Sequence, residues 1–249
     1  MQEVLDRHYR RLADAYDKYL YYSPDFVRAL TSKMIAKLQL TPSDILADIG
    51  CGTGMYSLDI LNQTPLETPV IGVDPYREML AQIPADSQIV PIVEDALAYS
   101  RRPGVYSKVL VKETIHHVTN IPEFLENIYG NLPTGGRLLL VHVPPNVKYP
   151  LFDAALARCL NWHADPAVLI EQLHGAGFKV ERDSLDYEHS LPKDHYFNMV
   201  RSQYMSVLTS FSDDEMQAGL QEMERTHHGK DTLKFVDHFD FLTAIKSAA

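Results

Sequence analysis

Three glycines and one carboxylate lie within seven residues, in the segment Asp48 to Gly54, directly after an apolar run. The apolar run suits a strand that is buried on both faces. The spaced glycines suit a turn that reaches positive φ and lets the backbone approach a ligand closely. Residues 55–61, MYSLDIL, have apolar positions near helical spacing, so a helix should begin just after the turn. The segment is therefore predicted to bind a ligand at a helix N-terminus.

Two further apolar runs also end in acids. Residues 70–74 end at Asp74, and residues 89–95 end at Glu94 and Asp95. Because the carboxyl ends of parallel strands meet at one edge of a sheet, these acids and Asp48 should lie near one another. Carboxylates accept hydrogen bonds from hydroxyl and amino groups of a ligand. The alternatives are an exposed turn for Asp74 and a solvated turn for residues 94–95.

A fourth apolar run, residues 108–111, leads into Lys112, Glu113, Thr114, Ile115, His116 and His117. Histidine has a pKa near neutrality and can act as a general base. His117 is the first candidate and His116 the second, because adjacent residues leaving a strand point in different directions. Glu113 and Lys112 are competing site groups, and they could instead form an ion pair. Either histidine could also be a packed, hydrogen-bonded loop residue.

The glycine spacing disagrees with the dinucleotide-binding fingerprint, which needs its third glycine where this chain has Met55. Asp48 to Gly54 resembles instead motif I, D-x-G-x-G-x-G, of the class I S-adenosylmethionine (AdoMet)-dependent methyltransferases. The likeness is to the small-molecule, methyltransferase type 11-like members. Residues 108–118 resemble motif IV of that family in its Leu-His-His form, and the Leu-Pro-Thr-Gly-Gly turn at 132–136 is typical of it. A nicotinamide oxidoreductase is correspondingly disfavoured.

The resemblance implies AdoMet as cofactor and S-adenosylhomocysteine (AdoHcy) as product. It assigns the ribose hydroxyls to Asp74 and the adenine amino group to Asp95, and it places Tyr16, in an A-x-x-Y-D pattern, on a helix over the cofactor. The implied cofactor-binding residues are Tyr16, Asp48, Gly50, Cys51, Gly52, Gly54, Asp74, Pro75, Met79, Asp95, Ala96 and Lys112. The catalytic candidates are His117, His116 and Glu113, and no metal is expected. Lys112 and Glu113 replace the small or polar residues usual at this strand end, which leaves the substrate class open.

Strands alternate with helices from residue 46 to 143, which predicts a mostly parallel sheet with helices on both faces. The resemblance implies an α/β, Rossmann-like sheet of seven strands with an antiparallel last strand and a helical lid. We expect one methyltransferase domain over 1–249, with an N-terminal helical cap at 1–40. Its core should comprise 41–190 and 230–249, and the lid 191–229. Ser23 should cap a helix that begins at Pro24, and the last strand should run from Phe235 to Ile245.

Composition narrows the class of partner. The chain of 249 residues has 23 Lys and Arg against 33 Asp and Glu, a net charge of −10, which disfavours a nucleic-acid partner. Two cysteines provide no disulfide framework. No stretch of eighteen apolar residues predicts a membrane span, so a cytoplasmic location is expected. His189, His195, His227 and His228 are expected at the surface or in the lid.

Taken together, the residues and the resemblance predict an AdoMet-dependent methyltransferase that acts on a small molecule, with O-methylation favoured over N- or C-methylation. A histidine base predicts a fall in rate below its ordinary pKa of about 6.5. The rival hypothesis is a catalytically silent module with the same fold that acts as an assembly or regulatory partner. An intact glycine loop with three strand-end acids argues against that rival. The sequence specifies no oligomeric state.

Overall fold

The structure, a computed structural model, describes residues 22–248. Its strands are β1 (Leu46–Ile49), β2 (Val70–Asp74), β3 (Ile89–Val93), β4 (Lys108–Lys112), β5 (Arg137–His142), β6 (Lys179–Pro192) and β7 (Thr232–Ile245). They form one sheet in the order β3-β2-β1-β4-β5-β7-β6. Strands β1 to β5 are parallel, and β7 is antiparallel to β5 and β6. The predicted seven-stranded Rossmann-like sheet with an antiparallel last strand is confirmed.

Helices connect most of these strands. They are α1 (Pro24–Leu38), α2 (Met55–Gln63), α3 (Arg77–Leu80), α4 (Ala96–Ser100), α5 (Ile121–Asn131), α6 (Asp153–Trp162), α7 (Pro166–Gly175), α8 (Lys193–Arg201) and α9 (Asp213–Thr226). Short 3₁₀ turns lie at Ile115–His117 and Ser206–Ser210. The cap predicted for α1 is present, because the Ser23 hydroxyl accepts a hydrogen bond from the Phe26 N–H at 3.1 Å. The helix therefore begins where its sequence satisfies the first free backbone donor.

The sheet separates two hydrophobic cores. Alternation along β5 sends Leu139 and Val141 to one face and Leu138 and Leu140 to the other. The first face packs against α1, α2, α6, α8 and α9, and the second packs against α4, α5 and α7. Burial on both faces explains why the central strands read as continuous apolar runs.

Strands β6 and β7 form a long antiparallel pair of 14 residues each, which runs from Lys179 opposite Ile245 to Pro192 opposite Thr232. The sequence predicted that the last strand begins at Phe235. It begins three residues earlier because the alternation of buried and exposed side chains continues back through Leu233. Residues 193–231, which we call the β6–β7 insertion, contain α8, the second 3₁₀ turn and α9.

The site is positioned by the strand order. β1 lies between β2 and β4, so the chain adds β2 and β3 on one side of β1 and then crosses over to add β4 and β5 on the other side. In open α/β sheets a crevice forms outside the carboxyl ends of the strands at such a point of reversal, and ligands bind there. The glycine loop, the acid that ends β2 and the residues that follow β4 all reach this edge.

Candidate active site

A cavity of about 530 Å³, the main cavity, lies at the carboxyl ends of β1, β2 and β4. Its volume is in the range of small-molecule sites. The sequence-predicted residues that line it are Asp48, Gly50, Cys51, Gly52, Asp74, Pro75, Met79, Asp95, Ala96, Lys112, Glu113 and His117. Gly54 does not line it, because it is the N-cap residue of α2, where an added Cβ would lie 3.1 Å from Ile83. Tyr16 lies outside the described residues.

The glycine loop is fixed against β2 by backbone hydrogen bonds. The N–H groups of Gly50 and Cys51 both donate to the carbonyl oxygen of Val73, at 2.7 and 3.1 Å. Gly50 has φ +80°, and a Cβ there would lie 2.0 Å from the Thr114 hydroxyl. Only glycine fits this position, because any side chain would be both strained and in collision with the residues that follow β4.

Asp74 ends β2 inside the main cavity. Its carboxylate accepts hydrogen bonds from the Gly52 N–H at 3.0 Å and from the Tyr76 N–H at 2.9 Å. The residue is 7% exposed, which excludes the alternative of an exposed turn. Burial raises the pKa of this carboxyl to about 6, although both hydrogen bonds oppose that rise.

Asp48 provides a second buried carboxylate in the same cavity. It accepts a hydrogen bond from the Ser57 hydroxyl at 2.6 Å. Burial raises its pKa to about 6, the charge of Asp74 adds to the rise, and the Ser57 hydrogen bond and Lys112 oppose it. Two buried carboxylates with raised pKa values favour a ligand that brings a cation or several hydrogen-bond donors. Both acids would then remain ionised at neutral pH.

Asp95 lies at the rim of the main cavity. It is exposed, and its carboxylate caps α4 by accepting a hydrogen bond from the Ala98 N–H at 2.9 Å. Ala96 and Leu97 line the cavity beside it. The first turn of α4 therefore forms one wall of the main cavity.

Lys112 ends β4 among aromatic rings. Its ammonium lies 5.3 Å from the ring centroid of Tyr22, 4.6 Å from that of Tyr56 and 5.3 Å from that of Phe239. Within residues 22–248 it has no carboxylate partner within 4.0 Å, so the ion pair with Glu113 that the sequence allowed does not form. Burial lowers the Lys112 pKa, and the charges of Glu113, Asp237 and Asp48 oppose that change.

Glu113 follows in a strained backbone conformation. Its φ is +52°, which costs a residue with a side chain roughly 1–3 kcal/mol. Its carboxylate accepts a hydrogen bond from the Val143 N–H at 2.6 Å, and its own N–H donates to the Val141 carbonyl at 2.8 Å. Burial raises its pKa, and Lys112 opposes the rise. The surrounding β4–β5 contacts hold this strained residue at the wall of the cavity.

The two adjacent histidines face different spaces, as their positions predicted. His117 lines the main cavity and His116 a second, smaller one, although their ring centroids are only 4.0 Å apart. Burial lowers the pKa of His117 to about 4, with His163 contributing, and burial also lowers the pKa of His116 well below its usual value. Both imidazoles are therefore neutral at neutral pH. With a pKa of about 4, a His117 base would give a fall in rate near pH 4 rather than near pH 6.5.

The second cavity, which we call the inner chamber, has a volume of about 90 Å³. It shares Tyr22, Lys112 and Glu113 with the main cavity, so the two spaces meet where β4 ends. Its other lining residues are His116, Val143, Tyr149, Trp162, His163, Tyr204, Met205, Ser206, Val207 and Phe239. The β6–β7 insertion thus forms part of its wall.

His163 has unused hydrogen-bonding capacity in the inner chamber. The residue is 9% exposed, and neither ring nitrogen has a hydrogen-bond partner among residues 22–248. Burial lowers its pKa to about 4, so the ring is neutral and offers one donor and one acceptor. A buried group of this kind is costly unless a ligand or water satisfies it. The neighbouring Trp162 indole N–H, by contrast, donates to the Ser206 hydroxyl at 3.1 Å.

A buried acid supports the chamber from β7. Asp237 is fully buried and accepts hydrogen bonds from the His189 ring at 3.0 Å and from the Tyr149 hydroxyl. His189 is 6% exposed, so the expectation that it lies at the surface or in the lid was wrong. Its place on the inward face of β6 explains the difference, because Phe26 and Phe235 cover its ring.

Sequence reasoning missed most of the inner chamber. The missed residues are Tyr22, Tyr149, Trp162, His163, Tyr204 and Phe239. They come from the residue before the α1 cap, the loop after β5, the end of α6, the β6–β7 insertion and β7, and no local motif links them. The one usable signal was the pair Trp162 and His163, the only Trp of the chain followed by a titratable residue at a helix end.

A methyltransferase-domain family model matches residues 16–202. No protein of curated function matches the sequence. Among solved structures, the YcgJ protein of Bacillus subtilis is similar at 15% identity, 88% of this chain, 98% of that chain and a TM-score of 0.60. Haemonchus contortus phosphoethanolamine N-methyltransferase 2, bound to phosphomonomethylethanolamine and S-adenosylhomocysteine, is similar at 17% identity, with 88% of this chain and 53% of that chain covered and a TM-score of 0.58. Precorrin-6y C5,15-methyltransferase of Geobacter metallireducens is similar at 16% identity, with 92% of this chain and 91% of that chain covered and a TM-score of 0.53.

The described part of the chain has neither a membrane-spanning helix nor a cluster of metal ligands. No helix within residues 22–248 is long and apolar enough to cross a membrane. In the same residues, no group of three or more His, Cys, Asp or Glu side chains is placed to hold a metal ion.

Proposed function

This chain belongs to the methyltransferase-domain family and is an AdoMet-dependent methyltransferase, and we propose that it methylates an oxygen atom of a small-molecule acceptor. The observation that carries the proposal is the meeting of two cavities at Lys112 and Glu113. One is large enough for a cofactor, and the other is small and lined by polar and apolar side chains together. The atom that receives the methyl group must lie where they meet.

The residues of the main cavity fit AdoMet. Asp48 and Asp74 are buried carboxylates that require a cation or hydroxyl donors, and the cofactor has an ammonium group and two ribose hydroxyls. We assign the ribose to Asp74, the methionine ammonium to Asp48 and the adenine amino group to Asp95. Gly52 leaves room for the cofactor beside the loop. When bound, the cofactor supplies a methyl group on a sulfonium, which a nucleophile displaces in line.

The protein's own part is mainly positioning. In-line displacement requires the nucleophile and the methyl group to be aligned in a space without water. His117 faces the main cavity as a neutral imidazole and can accept a hydrogen bond from the acceptor, while Glu113 and Lys112 fix the wall between the cavities. His116 lines the inner chamber, and we assign it a contact with the acceptor there.

We assign the role of a lid to the β6–β7 insertion. Tyr204, Met205, Ser206 and Val207 line the inner chamber from this segment, so an acceptor there would be enclosed by it. The chain's net charge of −10 supports a small molecule over a nucleic acid as acceptor.

The test combines cofactor binding with turnover. Calorimetry should detect AdoHcy binding to the purified chain, and Asp74→Ala should weaken it about ten- to a hundredfold, the contribution of a charge-assisted hydrogen bond. Methyl-labelled AdoMet, incubated with a small-metabolite extract and the protein, should yield a labelled small molecule. Binding without any labelled product would favour the silent module instead. Affinity unchanged by Asp74→Ala would refute the assigned cofactor geometry.

A further inference from the structure

We propose that the inner chamber binds the acceptor through a carboxylate, held by Lys112 and His163, and that this carboxylate is the group that is methylated. The inference rests on the proposed function, since it names the acceptor chemistry of the same site. The product would be a methyl ester.

The first argument is the supply of hydrogen-bond donors. Lys112 has three N–H donors, and its contacts among residues 22–248 are with three aromatic rings rather than with an acceptor group. His163 adds one N–H in a site where neither ring nitrogen is satisfied. Both side chains line the same small space. A group with two adjacent acceptor oxygens matches this set, and a carboxylate is the compact group of that kind.

The second argument concerns the acids near Lys112. The carboxylate of Glu113 accepts the Val143 N–H, and that of Asp237 accepts hydrogen bonds from His189 and Tyr149. Both acids favour the charged form of Lys112 without lying within ion-pair distance of it. Burial lowers the Lys112 pKa, and these charges oppose that change, so they favour the cation without occupying its N–H donors. An ammonium acceptor would be repelled at the same place.

The third argument is the lack of a suitable base. The pKa of His117 lies at about 4, so this histidine is a weak proton acceptor for a hydroxyl or ammonium group. A carboxylate arrives already deprotonated at neutral pH and needs no base. One carboxylate oxygen forms the new bond to the methyl carbon, the carbon–sulfur bond breaks with both electrons remaining on sulfur, and no proton is released.

The chamber volume sets the size of the probe. About 90 Å³ accommodates a carboxylate with few carbon atoms, and the rest of an acceptor would extend along the shared wall. Acetate, acetamide and acetamidinium have nearly the same shape and carry charges of minus one, zero and plus one. They therefore separate recognition of charge from recognition of shape.

The experiment uses the single tryptophan as reporter. Trp162 lines the chamber, so its fluorescence can follow the titration of each probe into the full chain saturated with AdoHcy, at constant ionic strength set with chloride. We expect acetate to bind about ten- to a hundredfold more tightly than acetamide, and acetamidinium to bind least. Lys112→Met should abolish the difference between acetate and acetamide, Lys112→Arg should retain it, and His163→Ala should weaken acetate about two- to tenfold.

A matched control lies on the same strand. Lys108, at the other end of β4, is also buried, but it lies 3.7 Å from Asp44 and outside the chamber. Lys108→Met should keep the preference for acetate. Retained AdoHcy binding shows for each variant that the fold and the cofactor site survive.

The possible failures are distinguishable. Three results would overturn the inference: a preference for acetamidinium, an acetate preference that survives Lys112→Met, or no response to acetate at 100 mM, which is well above ordinary millimolar constants. If AdoHcy still binds in these cases, the proposed function remains intact. A second readout is the stability of the transferred label. A methyl ester releases labelled methanol in mild alkali, whereas a label that resists alkali would identify an ether or amine product and refute the carboxylate. Failure of AdoHcy to bind the parent protein would instead refute the proposed function.

Discussion

Replacing Asp48 by Asn should stabilise the ligand-free protein and weaken its binding of AdoMet. The Asp48 carboxyl has a pKa of about 6 in the fold against an ordinary 3.8, chiefly because it is buried. Each unit of pKa corresponds to about 1.4 kcal/mol, so the ionised carboxylate lowers the free energy of unfolding at pH 7 by about 3 kcal/mol. Asparagine has nearly the same shape, is neutral and can still accept the Ser57 hydrogen bond of 2.6 Å.

The pH dependence of stability tests independently whether ionised Asp48 lowers the free energy of unfolding. Between about pH 4 and 6 the folded protein keeps a proton on Asp48 that the unfolded chain has lost, so raising the pH through this range reduces stability. The same holds for Asp74, whose pKa is also about 6. Buried histidines with lowered pKa values, among them His117 and His163, act in the opposite direction over the same range, so the Tm profile of the parent combines both effects. The Tm of ligand-free Asp48→Asn relative to that of the parent should therefore increase from pH 4 toward pH 7, because only the Asp48 contribution differs between the two proteins.

Two measurements at pH 7.5 test this reasoning. The Tm of ligand-free Asp48→Asn should rise by several degrees, since 1 kcal/mol corresponds to about 2–4 °C for a domain of this size. Its AdoHcy affinity by calorimetry should fall about ten- to a hundredfold, because the ligand's ammonium loses a charged partner. A lower Tm with unchanged affinity would refute the assignment of Asp48 as a buried carboxylate held for the cofactor.

Asp44 is the matched control, four residues earlier on the approach to β1. Hydrogen bonds from Ser107 and Thr41, together with Lys108, lower its pKa against the opposing effect of burial. Asp44→Asn should therefore destabilise the protein and leave AdoHcy affinity unchanged. A rise in Tm for Asp48→Asn and a fall for Asp44→Asn would distinguish an effect of the cofactor site from a general effect of removing a negative charge.

Two further predictions concern the loop and the histidine. Gly52 (φ +55°) and Gly135 (φ +81°) both have positive φ, so Ala at either should cost roughly 1–2 kcal/mol and lower the Tm by comparable amounts. Only Gly52→Ala should also weaken AdoHcy, about five- to 150-fold, because its methyl group enters the main cavity; equal affinities in calorimetry would move the cofactor elsewhere. Titration of His117 should leave kcat constant from pH 5 to 8 and lower it only near pH 4. His117→Ala should reduce kcat only about two- to tenfold and leave AdoHcy affinity unchanged. A hundredfold loss in steady-state assays together with a limb near pH 6.5 would restore the general base.

The sequence by itself determined the alternation of strands and helices and the position of the glycine loop. Residues 45–54 contain a strand, a carboxylate and a turn in one continuous segment, so propensity and backbone freedom specify the outcome locally. Asp74 and Asp95 could be placed because parallel strands bring their carboxyl ends to one edge whatever the details of packing. The cap of α1 was likewise readable, since it depends on residues within one turn.

Only the tertiary structure decided what surrounds Lys112 and what the histidines can do. Phe239 and Tyr22 reach the lysine from elements more than two hundred residues apart in the chain, and no periodicity or motif connects them. Sequence assigned His117 its ordinary pKa, because the burial that lowers it to about 4 depends on which distant segments cover the ring. Residue type and spacing determine where a group lies along its own strand, whereas burial and long-range contacts determine its charge, and those exist only once the chain has folded.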